Sequence, residues 1–273
     1  MRVSRRSFMQ YTLISSAMLA ATNIMASTRV NSMDVPTPEN LMPTPLIQAN
    51  HPRIIALAKE ITNNAETERK RAILLHNWVR DQILFGIPRE FYEASATQTL
   101  DAKVGYCNSK ASLFSALLRA SAIPSRIRMM DLSAQVLNGL FDPGTTYVDH
   151  ALTEVFLDGR WVKVDSYVVD KPLVLAVTKK LAATKGKAGF GIHADGQFEW
   201  DGRSDNFIQY MNNDSIRDYV FKDHGLFIDV ADFYSRADNP RNRKTFFSGL
   251  GIQLGHSAVN KQIEKIRAAG NAP

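Results

Sequence analysis

Cys107, His150 and Asp165 occur in that order and carry the side chains that a thiol nucleophile, its base and an orienting carboxylate require. They stand in Val104-Gly-Tyr-Cys-Asn-Ser-Lys110, Asp149-His-Ala-Leu-Thr-Glu-Val155 and Gly159-Arg-Trp-Val-Lys-Val-Asp-Ser166. Cys107 is the only cysteine of the chain. A lone thiol forms neither an internal disulfide nor a multi-cysteine metal site, which leaves two uses for it, reactivity or burial as a small apolar group.

The surrounding residues say how such a thiol would be positioned. Gly105 precedes it, and Ala111, Phe114, Leu117 and Leu118 follow at helical spacings on one stripe, with Arg119 toward the other side. Cys107 therefore opens a helix and turns toward its packed side. Unpaired N–H groups and the positive end of the helix dipole favour a thiolate there, and the thiolate is the nucleophile. Ile123-Pro-Ser125 ends the helix, because a residue before proline leaves helical geometry, and Ser125 to Met130 reads as a strand.

Residues 148–157 and 160–167 are rich in β-branched and aromatic residues and are separated only by Asp158-Gly159, a two-residue hairpin signal. That turn fixes the register: Leu157 faces Arg160, Phe156 faces Trp161, Glu154 faces Lys163 and Leu152 faces Asp165. An aromatic pair and an opposite-charge pair fall directly across the strands, as favourable pairs do. His150 shares a face with Leu152, so it becomes a diagonal neighbour of Asp165. The opposite face, with Ala151, Thr153, Val155, Val162 and Val164, reads as a core surface.

Taken with the run Gly105-Tyr-Cys-Asn-Ser-Lys-Ala-Ser-Leu-Phe-Ser115, these motifs resemble the transglutaminase-like superfamily of papain-type thiol enzymes, in its bacterial branch. The resemblance covers roughly residues 70 to 167. It implies an α+β fold in which a helix bearing the cysteine packs on an antiparallel sheet bearing histidine and aspartate. It also implies Cys107 as nucleophile, His150 as general base and Asp165 as orienting carboxylate. One departure is visible: many relatives carry an aromatic residue two positions after the histidine, where this chain has Leu152.

Upstream, Ile54, Leu57, Ala58 and Ile61 mark one amphipathic helix, and Ala72, Leu75, His76 and Val79 a second running to about Gln82. Both are expected to pack around the cysteine helix, giving a catalytic core over 51–170. Residues 27–50, with Pro36, Pro38, Pro43 and Pro45, read as an extended lead-in. Residues 171–273 read as an extension packed on the core. Within it a helix begins over Leu173 to Leu181, a glycine-rich loop runs from Gly186 to Gly202, and a last helix covers 258–269.

Residues 1–26 read as a twin-arginine export signal. Ser4-Arg-Arg-Ser-Phe-Met-Gln10 precedes a short apolar stretch from Tyr11 to Ala21, and cleavage is expected after Ala26. The implied location is periplasmic or secreted, the implied partner in export is the twin-arginine translocation machinery, and no stable membrane span is expected in the mature chain. Loss of Arg2, Arg5 and Arg6 lowers the formal charge from +6 to +3, too mild to argue for nucleic acid. Arg236, Arg241, Arg243 and Lys244 form a local basic run that reads as a solvated loop.

Other groups point to less. His51, His76, His193, His224 and His256 have no ligand-like spacing, and Gly189-Phe-Gly-Ile-His193 lacks the strand and helix context of a phosphate loop. No metal and no cofactor are expected. For the oxyanion, the Cys107 backbone N–H is one candidate donor and the Gln98 side chain another, while Trp78 fits a core position better. The chemistry expected is acyl transfer on a peptide or protein amide through a Cys107 thioester. Resolution by water gives a peptidase or amidase, the favoured outcome, and resolution by an amine gives a cross-linking transglutaminase. A catalytically silent peptide-binding module of the same fold remains a third outcome.

Overall fold

A computed structural model describes residues 35–211, 220–236 and 246–270. The signal segment at 1–26 and Arg241, Arg243 and Lys244 of the basic run lie outside them. The first helix, α1 (Pro52–Ile61), begins where the His51 ring accepts from the Arg53 N–H and where Pro52 takes a first-turn position that needs no donor. In α2 (Glu68–Gln82) the Thr67 hydroxyl accepts from the Lys70 N–H. The stripes read from spacing are the faces that bury: Ile54 and Ala58 of α1, then Ala72, Leu75, His76 and Val79 of α2.

Next come β1 (Leu84–Phe85), α3 (Ala96–Ala102) and β2 (Val104–Gly105), with β1 and β2 paired in parallel. They lead into α4 (Cys107–Ala120), whose residues are buried from Cys107 to Arg119 on every side. The one-sided stripe expected there is thus a fully enclosed helix. Its two cations are accommodated by backbone carbonyls. Lys110 donates to Ile83 O at 2.6 Å, and Arg119 donates to Met42 O and Ile228 O, each at 2.8 Å.

The sheet that covers α4 is antiparallel. Its strands are β3 (Ser125–Ser133), β4 (Tyr147–Leu157) and β5 (Arg160–Val164). α5 (Lys171–Thr184), the short strands β6 (Ala188–Gly189) and β7 (Ile192–His193), and then β8 (Val220–Phe227) follow. The sheet order is β5-β4-β3-β8, and α4 packs against β4 on one side and α1, α2 and α3 on the others. The fold is α+β, with the cysteine helix on the antiparallel sheet. Asp158 and Gly159 both have positive φ, 51° and 81°, the geometry of a two-residue hairpin turn, and the register is the one their spacing dictates.

Two details differ from expectation. β5 ends at Val164 rather than 167, because Asn206 comes alongside: Asn206 N–H donates to Lys163 O at 3.0 Å and Asp165 N–H to Asn206 O at 3.1 Å. Residues 35–50 do not run as an extended lead-in. They include a 3-10 turn over Pro38–Leu41 and bury Ile47, and Leu46 O accepts from Ala96 N at 2.8 Å.

The chain closes with α6 (Val230–Ser235) and α7 (Phe246–Ala269). The terminal helix is tied to the start of the core. Arg267 places Nε and Nη2 on the Asp170 carboxylate, each at 2.9 Å, and Nη2 also donates to Phe85 O at 3.0 Å. Asp170 in turn accepts from the Phe85 N–H and caps α5 through the Leu173 N–H.

Candidate active site

Cys107 is the first residue of α4, and the glycine before it has a steric reason. A Cβ at Gly105 would lie 2.8 Å from Ser109 Oγ and 2.9 Å from Lys110 Cγ, so any side chain would push the helix start away. His150 comes from β4 and Asp165 from the residue after β5, and all three are buried. His150 Nε2 lies 3.0 Å from Asp165 Oδ2. Cys107 lines the same cavity as this ring, and its proximity favours the charged imidazole. With the carboxylate holding Nε2–H, Nδ1 is the ring nitrogen left to serve the thiol.

The electrostatics follow from that arrangement. Burial alone disfavours a charged His150, yet the hydrogen bonds of Asp165 and Cys107 outweigh it and the ring is pushed up to about 9. At neutral pH the ring is an imidazolium beside the thiol. Its raised value stabilises the fold fully below the ordinary histidine range, and this stabilisation is lost as pH rises through about 9. Titration of the His150 Cε1 proton by NMR should therefore show a midpoint near 9 in the native protein. The midpoint should fall in Cys107→Ala, which removes one of the raising contacts.

The match to known proteins covers this constellation. Residues 55–166, which hold all three side chains, match the profile of the transglutaminase-like superfamily. They form a transglutaminase-like domain. Among solved structures, a candidate cysteine protease from Cytophaga hutchinsonii is 22% identical over 48% of this chain and 42% of its own, with a TM-score of 0.39. A candidate protease from Parabacteroides distasonis is 15% identical over 41% of this chain and 23% of its own, with a TM-score of 0.32. The chain thus spans less than half the length of either. No curated protein matches it.

The site of the transglutaminase-like domain is completed by residues beyond it. Asp165 Oδ1 accepts from the Ile208 N–H at 2.6 Å, so one oxygen faces the backbone and the other the imidazole. The Tyr210 ring stands edge-on to His150, with centroids 6.0 Å apart, and packs with Phe207, Met130, Leu132 and Leu152. The aromatic neighbour of the histidine is therefore Tyr210, while Leu152 fills a buried position beside it. A second set of contacts runs through Tyr234 of α6. The Cys107 thiol donates to Asn108 Oδ1 at 3.4 Å, Asn108 Nδ2 donates to Tyr234 OH at 2.7 Å, and Tyr234 OH donates to the Asp149 carboxylate. One hydroxyl so links the residue after the cysteine to the residue before the histidine.

Gln98 is not brought to the site. It is exposed, its Oε1 accepts from the Ser95 N–H at 2.9 Å in the cap of α3, and it does not line the cavity at the thiol. Helix capping holds this side chain in the α3 cap, away from the thiol. Trp78 lies outside that cavity too, under Lys103. The amide that does line it is Gln209, whose Nε2 donates to Gly191 O at 2.8 Å. Two of the other histidines have structural roles. His51 caps α1, and His76 is held by Ser166 Oγ at 2.8 Å, lowered to about 3 by burial, so it is neutral at any physiological pH. Among the described residues no group of three or more His, Cys, Asp or Glu side chains could hold a metal, and no helix is long and apolar enough to cross a membrane.

Proposed function

We propose that this protein performs thiol-dependent acyl transfer on an amide, with Cys107 as nucleophile, and that water resolves the acyl-enzyme, making it a peptidase or amidase. The observation that carries the reading is a buried imidazole bonded to Asp165 through one nitrogen and lining the same cavity as the only thiol of the chain. The Cys107 sulfur attacks the amide carbonyl while its proton rests on His150. The tetrahedral intermediate collapses to a thioester as His150 protonates the departing amine, and water then releases the acid. The Cys107 N–H at the start of α4 is one donor for the oxyanion. The twin arginines at Arg5 and Arg6 support export to the periplasm, and with it an envelope peptide as the substrate.

The test is incubation of the purified protein, lacking residues 1–26, with a mixed peptide library plus a primary amine, read by mass spectrometry beside Cys107→Ala. Peptide cleavage that disappears in the variant supports the proposal. Incorporation of the amine in place of cleavage makes the protein a cross-linking transglutaminase. Peptide capture equal in both proteins, without turnover in either, contradicts both and leaves a binding module.

A further inference from the structure

The cavity beside the thiol has a chemistry that the acyl-transfer reading does not by itself supply. Its volume is about 540 Å3, within the range that encloses a drug-sized group. Cys107 and His150 line it together with Phe91, Leu137, Leu140, Phe141 and Ile263. Among the described residues no lysine or arginine lines it. The one carboxylate among its described lining residues, Asp149, is bonded by Tyr234. Away from His150 and Asp149, a charged or strongly hydrated group pressed against these walls would lose its water without a partner of opposite charge.

The walls are held in shape from behind. Phe190 N–H donates to Asn138 O at 2.8 Å and Gly191 N–H to Val136 O at 2.7 Å, which fixes the segment carrying Leu137, Leu140 and Phe141. Gly139, at φ +82°, lies so close to the Phe190 ring that a Cβ would come within 2.1 Å of it. Elsewhere the Asn260 amide pairs with both backbone groups of Ile87, at 2.8 and 2.9 Å. Phe91 stacks on Tyr106, the residue before the thiol, with centroids 5.2 Å apart. These contacts keep an apolar space open next to Cys107 before any ligand arrives, the condition under which burial of a ligand group is converted into affinity with little ordering cost.

We infer that this cavity binds a bulky apolar group attached to the carbonyl that Cys107 attacks, an aromatic or branched amino-acid side chain, and so selects amides formed at such residues. The inference rests on Cys107 being the nucleophile. In the thioester the acyl carbon is bonded to Sγ, so the substituent on that carbon is the part of the substrate that stays within reach of the cavity.

Acylation by p-nitrophenyl esters tests it, with nitrophenolate release followed by absorbance and the acyl group located on Cys107 by intact mass. In each case Sγ displaces p-nitrophenolate and a thioester forms. The esters of N-acetyl-L-phenylalanine and N-acetyl-L-leucine are expected to acylate the protein about 10- to 100-fold faster than that of N-acetylglycine. Phe141→Ala and Leu137→Ala should each shrink that ratio. Equal rates across the series would overturn the inference while leaving the thiol chemistry standing. An octanoate ester that reacts fast while phenylalanine is no better than glycine would overturn it in favour of a linear acyl chain. Failure of every ester would overturn the reading of Cys107 itself.

Discussion

Replacing Asp165 with asparagine is expected to slow acyl transfer to Cys107 by about 10²- to 10⁴-fold while the protein stays folded. The reason is that both carboxylate oxygens act as acceptors, one from Ile208 N–H at 2.6 Å and the other from His150 Nε2 at 3.0 Å. An amide has one acceptor and one donor side. If its oxygen keeps the Ile208 N–H, the amide N–H₂ faces Nε2, which must then be the unprotonated nitrogen. The ring proton moves to Nδ1, and the nitrogen facing the thiol can no longer accept. If the amide turns round, its N–H₂ meets the Ile208 N–H and a buried donor is orphaned, at about 1–3 kcal/mol. Either arrangement also removes the negative charge that supports the imidazolium. The check is the acylation rate with an activated ester together with the melting temperature. A near-normal rate would mean that Asp165 is a structural carboxylate only.

Arg267→Ala is expected to destabilise the protein by about 3–5 kcal/mol, because it removes one member of a buried ion pair and leaves the other. Asp170 is fully buried, and burial alone would push its carboxyl up, yet the Arg267 guanidinium and the Phe85 N–H hold it below the usual carboxylate range. Truncation also frees Phe85 O and cuts the tie between α7 and β1. The expected drop in melting temperature is on the order of 10 °C. Since the folded-state value of Asp170 is depressed, its contribution is present above the ordinary carboxylate range and lost as pH falls. The gap between wild type and variant should therefore narrow in acid. Arg267→Lys keeps the charge without the two-pronged geometry and should recover only part of the loss. Calorimetry at pH 7 and pH 4 on the three proteins reads all of this, and an unchanged melting temperature at pH 7 would show that the pair is not what fastens α7.

Much of this site is legible in the sequence because it is local. Gly105 and the stripe from Ala111 to Leu118 define a helix beginning at Cys107, and Asp158-Gly159 fixes a register that puts His150 and Asp165 on one face. What was not legible is set by partners far along the chain. Ile208 acts through its backbone N–H, which has no residue signature, and Tyr210 and Tyr234 lie in stretches without clear periodicity. Hairpin logic also sees only one neighbour of each strand. It pairs Glu154 with Lys163, and that register holds, but the carboxylate is buried and held by Arg126 and Arg128 of β3, each with N–O contacts of 2.6 Å. Arg119 was misplaced for a related reason, and Lys110 of the same helix is buried in the same way. A charged residue on a helix suggests a solvated side, whereas here free carbonyls at element ends accept both cations. Burial lowers Lys110 to about 7.

The central claim is that His150 activates Cys107, and it is most directly tested by the rate of iodoacetamide alkylation of the protein lacking residues 1–26, from pH 4 to pH 9, in wild type and His150→Ala. Cys107 is the only thiol, so intact mass reports its modification alone. With an imidazolium beside the sulfur up to about pH 9, the wild type should react rapidly well below pH 8, and the variant should lose that reactivity. Two superimposable profiles that both rise only near the ordinary thiol range, or a wild-type thiol that does not react at any pH, would contradict it.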